Sequence, residues 1–166
     1  SAYTVTHTAS GFNVTAKSGS DGTDSLVSVE RLKFADLGLA LDLNDHAGTV
    51  VKILGAVFGA ATVASPVAVG IGLGLIDGGM NETALMQYAL EVRLGKGFTP
   101  AAEVNLLFQN LVGVAPTAEQ MGYWTGTVTS GQYTPTALAQ MAADLDLNTS
   151  NIGLVGLIDS GVAFTG

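Results

Sequence analysis

Cysteine is absent from the 166 residues, which rules out disulfides, thiolate nucleophiles and thiolate metal sites. Exported and cytosolic chains can both do without it, so its absence alone does not set the compartment. Charge is scarce, at 12% of residues, with 6 basic against 14 acidic side chains and a pI near 4.3. Phosphate backbones need clustered cations, whereas Lys17, Arg31, Lys33, Lys52, Arg93 and Lys96 are scattered along the chain, so nucleic acid is excluded as an expected partner. An acidic lipid surface is disfavoured on the same ground. Imidazole is nearly absent: His7 falls on a strand pattern and His46 at a helix start, and neither belongs to a zinc motif. No Gly-x-Ser-x-Gly elbow is present to expose a serine nucleophile. The expectation is a chain that is not an enzyme.

Apolar residues, by contrast, make up 48% of the chain, enough for a core in one ordinary domain or two small ones. The run from Ile53 to Ile76 carries no charge and approaches the length of a membrane span, about 20 residues. Pro66 interrupts it and Gly55, Gly59, Gly70, Gly72 and Gly74 dilute it. No aromatic belt or basic cluster marks its ends. It therefore reads as two buried helices joined by a loop, with no membrane span. Abundant Gly, Ser and Thr, few Lys and the acidic pI lean toward an exported protein. The start Ser1-Ala2-Tyr3-Thr4, without Met, a basic n-region or an apolar h-region, sets the expectation of a piece cut from a longer parent.

Residues 1–43 follow strand periodicity. Tyr3-Thr4-Val5-Thr6-His7-Thr8 and Phe12-Asn13-Val14-Thr15-Ala16 alternate apolar with polar around Ala9-Ser10-Gly11, a hairpin pattern. Glu30 to Phe34 alternates again and Leu39 to Leu43 could pair beside it, which predicts a small antiparallel sheet. Beyond Asp45 the period becomes helical. Val51, Leu54 and Phe58 form one stripe; Leu85, Tyr88, Ala89 and Val92 a second; Val104, Leu107, Phe108 and Leu111 a third; Leu138, Met141, Ala142 and Leu145 a fourth. Each stripe is expected to be covered by another helix. Thr99-Pro100 and Thr134-Pro135 place a capping hydroxyl before a proline, and Thr117 with Gln120 fits a capping box. Thr83-Ala84-Leu85-Met86-Gln87-Tyr88-Ala89 is echoed by Thr136-Ala137-Leu138-Ala139-Gln140-Met141-Ala142, and the helices ending near Gly59 and Gly113 are spaced alike. Two copies of a helical unit, about 47–95 and 101–147, plus a C-terminal helix are expected to stack and share a core. The predicted class is α+β: a β-rich cap over 1–43 on a duplicated all-helical bundle over 44–166.

Two segments resemble known families. Asp21-Gly22-Thr23-Asp24-Ser25-Leu26 through Arg31-Leu32-Lys33-Phe34-Ala35-Asp36 is similar to the segment that follows calcium-binding nonapeptide repeats in bacterial type I secretion substrates. The region from Ala47-Gly48 through Gly122-Tyr123-Trp124 to Gly161-Val162-Ala163-Phe164 resembles the helical domain of unknown function numbered 4214. The first copy departs from the second in lacking the Tyr-Trp pair, with Gly72-Leu73-Gly74 instead. The resemblance implies an extracellular, secreted or surface-displayed bacterial protein. In it this chain would be a structural or accessory region aiding export and folding, with the remainder of the parent as its partner. It implies no catalytic residue. The alternative is a calcium-dependent adhesion or ligand-binding module.

Calcium is the one cofactor the residues admit, because it takes six to eight oxygens from clustered carboxylates and carbonyls. Asp21 and Asp24 around Gly22 could join Asp36 in such a site, or stand in a solvated turn. Asp42-Leu43-Asn44-Asp45 resembles the start of an EF-hand loop, but Ala47 and Ile53 stand where Gly and Glu are required. Asp42 and Asp45 remain candidate ligands, and Asn44 or Asp45 equally fits a helix cap. Asp144 with Asp146 is a possible acid-base pair that reads better as surface charge. Gly70-Ile71-Gly72-Leu73-Gly74 superficially resembles a phosphate loop but lacks its strand and lysine, and reads as close helix packing. Tyr123, Trp124 and Tyr133 read either as core or as an aromatic contact patch.

Overall fold

A computed structural model describes residues 2–166. Strands β1 (Tyr3–Thr8), β2 (Gly11–Ala16) and β3 (Thr23–Leu26) form an antiparallel sheet in the order β1-β2-β3. Val5 pairs with Val14 across the predicted hairpin. None of its residues is fully buried, since the alternating partners are Thr, Ser and Asn. The sheet is tied to the rest by its edges. Tyr3 stacks on Phe34 with centroids 5.5 Å apart, and His7 Nδ1 lies 3.6 Å from Asp159 Oδ1.

The β region is divided in a way the sequence pattern does not anticipate. Strands β4 (Arg31–Lys33) and β5 (Gly38–Ala40) belong to a second antiparallel sheet, completed by β6 (Val162–Phe164) from the far end of the chain. Ala40 faces Val162 in its register. The expected C-terminal helix thus ends early and gives way to a strand. Three residues are too few for alternation to be visible; the strand exists because β5 offers it an edge.

The helical part comprises α1 (His46–Phe58), α2 (Pro66–Asp77), α3 (Glu82–Leu94), α4 (Pro100–Leu111), α5 (Ala118–Thr129) and α6 (Pro135–Ala143). Two short helices follow, α7 (Asp146–Asn151) and α8 (Leu154–Ser160), and a 3-10 turn over Ala60–Ala64 separates α1 from α2. The uncharged run is therefore two helices broken before Pro66, and no helix among the described residues is long and apolar enough to cross a membrane. Ser65, Asn81, Thr99 and Thr134 each accept a capping bond from a backbone N–H, and Thr117 with Gln120 forms the capping box. Each such cap contributes about 1 kcal/mol.

Helix α1 is the hub, packed on α2, α3, α4, α6 and α7. Two side-chain amides hold it, one buried (Asn148) and one half-buried (Asn110). Asn148 Nδ2 donates to Lys52 O at 3.0 Å and Ala143 O at 2.7 Å, and Asn110 Nδ2 donates to Ala56 O at 2.9 Å. Gly55 lets α7 approach so closely that a Cβ there would strike Ile152 and Asn148. The core runs from Ala40 to Val162 and takes nothing from the first sheet.

Candidate functional site

The charged residues that converge do so where the second sheet meets the helices. Arg31, on β4, donates from Nη1 to Asp42 Oδ1 and from Nη2 to both Asp77 carboxylate oxygens at 3.2 Å. His46 Nδ1 lies 2.7 Å from Asp77 Oδ1. Asp42 Oδ2 accepts the Ala47 backbone N–H at 3.2 Å, which makes Asp42 the residue that caps α1. Asp45 occupies the cap position without a side-chain capping bond, so the predicted capping role of Asn44 or Asp45 passes to Asp42. The hydrogen bond to Asp77 raises the His46 pKa, against a smaller opposing effect of burial; the neighbouring charges of Asp45, Asp77 and Asp42 raise it further. One guanidinium and one imidazole therefore link β4, the start of α1 and the end of α2.

Of the five aspartates that are calcium candidates, Asp42 and Asp45 lie around His46 and Asp21 and Asp24 near Tyr3, while Asp36 stands apart from both pairs. Asp21 accepts the Tyr3 hydroxyl at 2.7 Å in the first sheet, a bond that raises the Tyr3 pKa. Asp24 is exposed on β3 and Asp36 sits in the bend between β4 and β5. Asp42 already faces a guanidinium, and Asp45 is exposed. Among the described residues no group of three or more His, Cys, Asp or Glu is placed to hold a metal. Asp144 pairs with Lys52 Nζ at 2.8 Å on the surface. The Gly70 to Gly74 segment lies inside α2, where Gly70 packs closely on Thr165 and Gly72 on Val50, while Gly74 is exposed.

Glu103, which pattern reading passes over, is wholly buried near the start of α4. Neither carboxyl oxygen has a hydrogen-bond partner among the described residues. Burial alone pushes its pKa up to about 8, although a helix N-terminus favours a carboxylate. The available signal is its spacing: Glu103, Leu106, Leu107 and Asn110 share one helix face, and the other three read as core or as core amide.

The apolar stripes are not all covered. Tyr88 and Val92 on α3 remain 46% and 58% exposed, and Ile71 on α2 57%. Together with α1 they rim a groove of about 250 Å³. A second groove, about 120 Å³, lies between α4, α5 and α6. Val50, Ile53 and Leu54 in the first correspond by spacing to Val104, Leu107 and Phe108 in the second. On α5 the second groove is walled by Trp124 alone, half-buried and edge-on to Tyr123 with centroids 5.0 Å apart. Trp124 is thus a groove wall, while Tyr123 is 62% exposed.

These features define an α+β protein in which two small sheets flank a helical bundle bearing two apolar grooves. No family model, curated protein or solved structure matches the chain.

Proposed function

We propose that this chain is a non-enzymatic structural or accessory region of a secreted bacterial protein, aiding the export, folding or surface display of its parent. The observation that carries this reading is the use of its few charges. The Arg31, Asp42, His46 and Asp77 cluster joins sheet to bundle, and the two grooves contain no carboxylate, imidazole or amine. Polar groups invested in internal joints suit a folded accessory unit better than a reaction centre, where such groups converge on a cavity. Sequence resemblance supplies the extracellular context. The test is deletion of residues 44–166 from the full-length gene product, with the secreted and surface-exposed fractions measured by immunoblot and protease accessibility. A fall in either is expected; unchanged export and display would overturn the reading.

A further inference from the structure

We infer that the first turn of α4, Pro100 to Glu103, is a proton-operated latch that stays wound while the Glu103 carboxyl is neutral and unwinds about Gly95 and Gly97 when it ionises. Glu103 is wholly buried, and both its carboxyl oxygens lack a hydrogen-bond partner among the described residues. An ionised carboxylate without a partner is not tolerated in an apolar interior; it either keeps its proton or moves into water. Movement is open to this one because the turn that carries it is weakly held. Ala101 is exposed, and Pro100 and Ala102 are half-buried. Glu103 is thus the turn's one wholly buried side chain, and unwinding as far as Glu103 uncovers none of the buried core, which on α4 begins at Val104.

The connection before the turn supplies the freedom to move. Gly95 and Gly97 sit at φ +88° and +74°, both exposed, and nothing lies within 4 Å of where a side chain would start on either. Such residues absorb a change of backbone direction without strain or collision. Helix α4 packs on α1, α3, α5, α6 and α7. The titratable groups on these are His46 and Lys52 on α1, Glu82, Tyr88, Glu91 and Arg93 on α3, Glu119 and Tyr123 on α5, and Asp146 on α7, with none on α6. Lys96 is exposed in the connection itself. Burial is the sole cause of the raised Glu103 pKa, so none of these charges reaches its carboxyl, and Glu103 alone drives the turn.

The test is amide hydrogen exchange on the whole chain from pH 6 to 8, corrected for the intrinsic rate, with and without low urea. The Glu103 N–H donates to Thr99 O at 3.2 Å, and the next amides, through Leu107, close on carbonyls of the same turn. Each opening releases one proton, so exchange at Glu103 to Leu107 is expected to rise about tenfold per pH unit. It should not respond to low urea, because little surface is exposed. Exchange at Val50 and Val51 in the core of α1 should respond steeply, since it needs global unfolding. Glu103→Gln, close in size and always neutral, should abolish the pH slope at these amides; if it does not fold, Glu103→Leu takes its place. An unchanged slope in the folded variant, or exchange in the native turn that does not vary with pH, would overturn the inference. So would a urea dependence equal to that of α1, which would mean that the carboxyl reaches water only when the whole chain unfolds.

Discussion

Glu103 should make this protein less stable as pH rises through the neutral range. The unfolded chain releases the Glu103 proton near the ordinary value of 4.5, while the folded chain holds it to about 8. Below the lower value both states are protonated and the residue is neutral with respect to pH. Between the two values the folded state binds one more proton, so stability falls by about 1.4 kcal/mol per pH unit. Above the upper value the folded state is ionised too, and the loss levels off at roughly 3–6 kcal/mol, a large share of the roughly 5–15 kcal/mol typical of a domain. Burial is the sole cause of the shift, so no neighbouring charge offsets it. Glu103→Leu removes the ionisable group at similar size. Urea unfolding of both proteins from pH 4 to 9 isolates its contribution, because the titrations of other groups cancel in the difference. The variant's advantage should be small at pH 4.5 and grow by several kcal/mol by pH 8. A difference that does not change with pH would refute the reasoning.

Asn148→Ala should lower stability by about 2–3 kcal/mol in the same assay, since it leaves the Lys52 and Ala143 carbonyls without their amide donor in a buried place; a change under about 0.5 kcal/mol would show that water replaces it. His46→Gln should destabilise most under acidic conditions. The folded imidazole has a raised pKa, so its contribution is full below the unfolded value near 6.5 and lost as pH rises through the folded one; a deficit that grows toward alkaline pH would contradict the Asp77 pairing. Calcium added to a chelator-treated sample should leave Tm unchanged, because no group of three or more His, Cys, Asp or Glu among the described residues is placed to hold a metal; a saturable rise would refute this.

Local patterns carried much of this fold. Alternation marked the β1–β2 hairpin, and Thr99, Thr117 and Thr134 marked helix starts, because a strand's period and a helix's unsatisfied first N–H groups depend on residues close in the chain. The candidate site was less legible. Asp42 and Asp45 lie only three positions apart in the sequence, yet one is fixed by Arg31 and the Ala47 N–H while the other is exposed. That choice depends on where β4 and the end of α2 come to rest.

The sequence by itself determined the α+β class, the break of the apolar run at Pro66 and the absence of thiol chemistry, since each follows from residue type or short-range period. Tertiary packing alone decided that Val162 to Phe164 becomes a strand, that Glu103 loses all contact with water, and that the faces of α1, α2 and α3 leave a groove open. Pairing, desolvation and residual volume are properties of surfaces brought together from distant parts of the chain, and no local pattern encodes them.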